Sequence, residues 1–310
     1  MFWRSLVIFY LFLPSLHSYL KTPFLDYFEN KNHQTLPPLE LESLSLKKLN
    51  LSCTQILNGL AYLGEKYAVI GHADESTKKI FYLKCFEEGE IIAQGKELSG
   101  NSSQALCLIN TVKQTNICLD PSLFEGIKLF HFNVSQLSNY DLIKKALDLA
   151  KLNGVKISCD LGSTSCVRFY KGQILNLLPK YIDIIFANEN EIKELTQLPP
   201  LQACDFLSTL CEVVCVTMGF SGSWVKSGDL KFYTPSLKTN QIPDAGVGDL
   251  FISGFLHGYL NKASLPQCSW IGSFVASKAL EKGIKKFDYL FWKEVAHQLL
   301  TETSSQAKDK

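Results

Sequence analysis

Two glycines that bracket a single residue and run straight into a carboxylate, Gly246-Val247-Gly248-Asp249, form the stretch of this chain best suited to chemistry. Leu250, Phe251, Ile252, Phe255, Leu256, Tyr259 and Leu260 follow at helical spacing, which predicts a buried helix opening at the turn. Pro243 stands where the chain leaves an extended run. The glycines leave backbone N–H groups uncovered at the positive end of that helix, and such an end holds an anion without any cationic side chain. Asp249 has no obvious charge to neutralise there, so it is a candidate general base. A tight turn with an Asp N-cap accounts for the same residues, and pattern alone leaves both readings open.

Asn188-Glu189-Asn190-Glu191 follows the apolar run 181–187 directly, which puts it at the carboxyl end of a strand, the edge where open α/β sheets bind ligands. Asn188 and Glu191, three residues apart, share one side of a helix start. An amide and a carboxylate so placed could order the water shell of Mg²⁺, which takes few protein ligands. The rival reading is an Asn cap followed by acidic residues that the helix dipole favours. Thr217-Met218-Gly219-Phe220-Ser221-Gly222 ends the β-branched run 213–216; its glycines permit a tight loop beside a ligand and Thr217 offers a hydroxyl. Asp160 ends a further strand and could face the cleft, with Arg168 available to neutralise phosphate charge or to form a local ion pair.

The elements that must position these groups become regular from residue 128. Strand 128–133, a helix over 140–152 opened by a capping-box-like Ser138-Asn139-Tyr140-Asp141, strand 155–160, a helix near 166–178, strand 182–187 and a helix from 189 alternate. That alternation predicts a parallel sheet covered on both faces. A hairpin follows, 223–225 with 230–234, turning at 227–229, and 270–283 reads as a core helix. Upstream, 53–64 reads as a helix, 67–71 as a strand, 78–88 as a helix, and 91–93, 105–109 and 115–119 as short strands. Residues 19–50 read as loops with a short helix at 39–48, and no low-complexity linker divides the chain into domains.

With 310 residues, 46% hydrophobic, 20% charged and a net charge of +1, the composition is that of one sizeable globular domain, and it argues against nucleic acid or an anionic membrane as partner. The six histidines are scattered without metal-ligand spacing. The ten cysteines contain no Cys-x-x-Cys pair and several sit in apolar runs, which predicts small buried hydrophobes in a reducing compartment rather than a disulfide framework. Residues 1–18, with Arg4 and the apolar run 6–13, resemble a short secretory signal; a first buried strand of a parallel sheet is the rival reading. Three Asn-x-Ser sequons, at Asn50, Asn101 and Asn133, go with the export reading, that of a secreted binding protein.

Three of these stretches, in this order along the chain, carry a resemblance. Ile-Ile-Phe-Ala-Asn-Glu-Asn-Glu-Ile resembles the Asn-x-x-Glu motif of the ribokinase-like PfkB family of sugar and nucleoside kinases, and Thr217 to Gly222 resembles its Thr-x-Gly-x-x-Gly loop. Gly-Val-Gly-Asp-Leu-Phe-Ile-Ser-Gly-Phe-Leu resembles its C-terminal signature, with Val247 for the usual Ala and a shifted flank at Asp244 and Ala245. The resemblance implies an α/β, ribokinase-like fold: a mainly parallel central sheet with helices on both faces and a small β lid drawn from 19–50 and 89–120, as one domain over 1–310. It implies transfer of the γ-phosphate of ATP to a hydroxyl of a sugar or nucleoside. Asp249 is then the base, the N–H groups of Gly246, Val247 and Gly248 hold the transferring group, and Asn188 with Glu191 serves Mg²⁺. Asn188, Thr217, Gly219, Gly222 and Ser273 fall on the nucleotide side; Val247 leaves the backbone amides in place, though its β-branched side chain could crowd the phosphate. A monovalent cation is a further cofactor of this reading, left open by the altered flank at Asp244.

Phe186-Ala-Asn-Glu and Asp160-Leu161 are most similar to the adenosine-kinase-like sugar kinases. The N-terminal third departs from the pattern. The family's substrate-gripping Gly-Gly and Asn places hold Asn50, Leu51 and Gln55, its acidic element is His72-Ala73-Asp74, and Gln114-Thr115 stands where it has Arg-Thr. Gln55 is the substrate-side candidate there, beside Asp249. These departures keep open a catalytically impaired relative that binds nucleotide or a partner without phosphoryl transfer. The expected partner is a small sugar or nucleoside, with no nucleic acid and no membrane, for a monomer or homodimer. Dependence on ATP implies a cytoplasmic protein, and with it the strand reading of 6–13.

Overall fold

The computed structural model describes residues 121–237 and 246–282, together with positions 56, 59, 60, 63, 65, 68–70, 91–92, 105–108, 119 and 295. Among the described residues, nine strands form one sheet: β1 Ala68–Ile70, β2 Ile91–Ile92, β3 Ala105–Leu108, β4 Leu129–Asn133, β5 Lys156–Asp160, β6 Ile184–Asn188, β7 Val213–Thr217, β8 Ser223–Ser227 and β9 Leu230–Thr234. They lie in the order β2-β1-β3-β4-β5-β6-β7-β8-β9. Pairing is parallel from β2 to β7. The hairpin β8–β9 then adds two antiparallel strands. Six helices are described from residue 140 on: α1 Tyr140–Leu152, α2 Thr164–Tyr181, α3 Glu189–Thr196, α4 Pro200–Leu207, α5 Val247–Leu260 and α6 Leu265–Lys282.

Successive residues of the central strands enter two different cores, the mark of a sheet buried on both faces. Phe130, Phe132, Ile157, Cys159, Ile185, Ala187, Val214 and Val216 pack with α1 to α4. Leu129, Ile184, Phe186, Val213 and Cys215 pack with α5, α6, Ile56 and Leu60. The continuous apolar runs of β4, β6 and β7 follow from this double burial. The expected α/β architecture, a mainly parallel central sheet with helices on both faces, is therefore the one observed.

The strands expected in a lid are a correction. β2 and β3 lie in the central sheet itself, each paired parallel to β1. Residues 19–50, the other lid candidate, and the helix at 78–88 lie outside the described residues. Leu119, the last position of the expected strand 115–119, is buried but not in a strand.

Helix starts follow from caps. Asn139 caps α1 through its side chain, which accepts from Leu142 N; the capping box itself lies earlier, where Asn133 and Gln136 satisfy each other's backbone N–H. α6 starts five residues before the expected 270, with Gln267 reaching back to accept from Ser264 N at 2.9 Å. α4 is an addition to the expected alternation, opened by Pro200. No helix among the described residues is long and apolar enough to cross a membrane. The six described cysteines are free thiols, and burial pushes Cys204, Cys211 and Cys268 up to about 12, as expected of small packed hydrophobes.

α5 and α6 touch backbone to backbone. A Cβ at Gly254 would stand 2.8 Å from Ile271 O and 2.9 Å from Gly272 Cα, and one at Gly272 would stand 2.7 Å from Phe251 O. No side-chain rotation relieves such contacts, so the helices would have to part. Gly254→Ala is expected to cost about 2 kcal/mol despite the better helix propensity of alanine, read as a lower urea midpoint at unchanged slope.

Candidate active site

Four parallel strands end side by side in polar residues. Strand register sets Asn133 opposite Asp160, and Asn188 opposite Thr217. Asp160 pairs with Phe186, two residues before Asn188, so all of these side chains rise on the α5 side of the sheet. The amino end of α5 closes over them. Phe255 of α5 meets Phe186 of β6 edge to face at 5.2 Å, which seats the helix on the strand. Ser253 Oγ donates to Asp249 O at 2.9 Å and lies 3.0 Å from Ile56 O, tying the first turn of α5 to the segment around Ile56.

The resulting cleft is lined by Asp160, Gly162, Phe186, Ala187, Asn188, Glu191, Thr217, Gly246, Gly248, Asp249 and Ile252. It joins the three stretches singled out in the sequence, although 61 residues separate Asn188 from Asp249 (249 − 188). Gly246 is the N-cap of α5 at φ 98°, a left-handed conformation that an L side chain strains, and it carries no side chain to cap the helix. The first N–H groups of α5 are thus presented at the cleft. Val247 is half-buried and packs against the α5 core. A Cβ on Gly248 would meet nothing within 4 Å. Gly248→Ala is therefore expected to keep or raise the unfolding midpoint while placing a methyl in the cleft. Turnover should fall about tenfold, equivalent to about 1.4 kcal/mol of misfit, with intact stability as the control.

Asn188 and Glu191 form a complete capping box. Asn188 Oδ1 accepts from Asn190 N at 3.0 Å and Glu191 N at 2.9 Å, while Glu191 Oε2 accepts from Asn188 N at 2.8 Å. Glu191 is only 5% exposed. Burial, then the negative charge of Asp160 and to a lesser degree that of Asp249, push its carboxyl up to about 7, against the pull of hydrogen bonds from Asn188. The cap reading is thus realised, and it leaves Glu191 rigidly held at the wall of the cleft.

Among the described residues, three carboxylates line this cleft and no Lys, Arg or His does. Among the described residues no three acidic, His or Cys groups stand close enough to cage a metal directly. That donor set fits Mg²⁺ held largely through its own waters, the preference of a small hard cation.

Other candidates stand apart from the cleft. Arg168, with its side chain 72% exposed, forms a bidentate pair with Glu194 at 2.9–3.0 Å, which is the local ion pair that its exposure favours. Gly222, at φ 79°, is required by the hairpin, since a Cβ there would stand 2.2 Å from Thr234 O. Gly219 opens the short turn 219–221 at φ 54°. Ser273 is buried on α6, outside the lining of the cleft. Gln55, Asp244 and Ala245 lie outside the described residues. Asn133 and Gly162 were missed as site residues; the signal for Asn133 is a polar residue closing an apolar strand beside the strand that ends in Asp160.

A mostly parallel sheet whose carboxyl edge carries an acidic cleft under a glycine-opened helix is the architecture of ribokinase-type phosphotransferases. Residues 56–285 match the pfkB family carbohydrate kinases, and the chain belongs to that family of ATP-dependent sugar and nucleoside kinases. It is 30% identical over 241 residues to an uncharacterised sugar kinase of Archaeoglobus fulgidus, covering 72% of this chain and 95% of that one. It is 28% identical over 167 residues to a cytidine kinase of Thermococcus kodakarensis, covering 52% of this chain and 58% of that protein. Among solved structures, the adenosine kinase of Sinorhizobium meliloti superposes with a TM-score of 0.61 at 23% identity, over 74% of this chain and 76% of that one. That likeness extends to the fold.

Proposed function

We propose that this protein transfers the γ-phosphoryl group of ATP to a hydroxyl of a sugar or nucleoside, with Asp249 as the general base. The observation that carries the reading is the meeting of Asp249, Glu191, Asp160, Thr217 and the glycines of α5 in one cleft at the carboxyl edge of the sheet. Asp249, in the first turn of α5, takes the proton of the acceptor hydroxyl as that oxygen attacks in line. The first N–H groups of α5, at Gly246, Val247 and Gly248, hold the charge developing on the transferring group; donors so placed are worth about 3–4 kcal/mol each. Mg²⁺, when bound, would supply positive charge to offset that of the phosphates. Glu191 and Asp160 would hold it through its waters, with the Asn188 cap keeping Glu191 in place. Thr217 closes the nucleotide side. Reliance on ATP and a set of buried free thiols support a cytoplasmic setting.

The test is ADP release from Mg-ATP across a panel of sugars and nucleosides. Acceptor-dependent release is expected for at least one of them. A folded protein that binds ATP yet turns over no acceptor would replace this reading with that of a binding relative.

A further inference from the structure

We propose that Asn133 is a positioning residue that fixes the Asp160 carboxylate toward the cleft, an inference that rests on the kinase reading of the site. The two residues are register partners at the carboxyl ends of β4 and β5, and both are buried, at 2% and 6% exposure. Asn133 Nδ2 donates to Asp160 Oδ2 at 2.7 Å, and the Gly162 N–H donates to Asp160 Oδ1 at 3.2 Å, so each oxygen of the carboxylate has a donor. The Asn133 amide is itself fixed. Its Oδ1 accepts from Ser135 N at 2.9 Å, which leaves Nδ2 as the end that faces Asp160, and its backbone N donates to Gln136 Oε1 at 2.8 Å.

Gly162 completes the mounting. A Cβ there would lie 2.3 Å from Asn133 Nδ2, and φ is +71°. A glycine is thus required where the chain turns past the pair. Asp160 lines the cleft with Glu191 and Asp249, and its charge reaches Glu191. A rotation of its carboxylate therefore alters the acidic wall of the cleft that would receive a hydrated Mg²⁺. Donors that hold a metal-facing group in its orientation govern metal affinity by about 10–100-fold in other sites.

The experiment is a double-mutant cycle of Asn133→Ser and Asp160→Asn in the full chain, with Asn133→Asp alongside. Asn133→Ser retains an oxygen that can cap the following turn; Asn133→Asp is isosteric but replaces the donor by an acceptor. Two quantities are read: Mn²⁺ binding by electron paramagnetic resonance with a non-hydrolysable ATP analogue, and steady-state ADP release. Weaker Mn²⁺ binding by about tenfold in Asn133→Ser is expected, more in Asn133→Asp, with kcat falling and the acceptor KM within about twofold. In the Asp160→Asn background, Asn133→Ser should add nothing, because its effect runs through that carboxylate. Urea midpoints identify a variant that has merely lost its fold. Wild-type Mn²⁺ binding and kcat in folded Asn133→Ser, or full additivity with Asp160→Asn, overturns the positioning role while leaving the kinase reading intact. A wild-type chain that neither binds Mn²⁺ with the nucleotide nor turns over overturns the kinase reading, and this inference with it.

Discussion

Asp249→Asn abolishes acceptor-dependent ADP release almost entirely, by about 10²–10⁴ in kcat, if Asp249 takes the proton of the attacking hydroxyl. The substitution is isosteric, so the first turn of α5 and the Ser253 contact to the Asp249 carbonyl should persist. Loss of a negative charge in the first turn costs about 0.5 kcal/mol of helix stability, far too little to unfold the chain. Binding of Mg-ATP should be retained or improved, because a carboxylate near the phosphates repels them. The variant also lowers the Glu191 pKa, since the Asp249 charge is one of the causes that raise it. Single-turnover ADP formation at saturating acceptor, with nucleotide binding measured separately, is the check. A variant with wild-type kcat would remove Asp249 as base and leave Asp160 and Glu191 as the carboxylates of the cleft able to serve.

Glu191→Gln is expected to stabilise the metal-free protein at alkaline pH while weakening its use of Mg²⁺. Folded, Glu191 titrates at about 7; its ordinary value is 4.5. Between those values the native chain keeps a proton that the unfolded chain has released, so stability falls as pH rises through that window. The whole effect is about 3 kcal/mol and is complete by about pH 8. Gln can still accept from Asn188 N, so the capping box survives and only the charge disappears. Urea unfolding without metal should show the variant more stable than wild type at pH 8 and the two converging near pH 4.5. Mg²⁺ with nucleotide should restore the wild-type protein at pH 8. Superimposed curves at both pH values would mean that Glu191 is not strained by its surroundings.

These effects also show what pattern could and could not reveal. β4 to β7 were legible because strands buried on both faces read as apolar runs, and the start of α5 was legible because glycines open it. The two roles weighed for Asn188 and Glu191 need the same residues at the same spacing, so only the hydrogen bonds display the cap. Asn133 and Asp160 lie 27 residues apart and meet through strand register, which no local window contains. β2 and β3 are two and four residues long, and nothing within runs so short says which sheet they join. α4 begins in Leu198-Pro199-Pro200, a sequence that announces a turn more strongly than a helix.

Asn133 belongs to a sequon, and its Nδ2 is spoken for. An N-linked sugar is attached through that same nitrogen, which in the folded chain is buried and donates to Asp160. A bulky glycan there would have to break through the joint between β4 and β5. Modification at this position and a formed cleft are therefore mutually exclusive: a chain carrying sugar at Asn133 is one that was modified before it folded and cannot afterwards close this site.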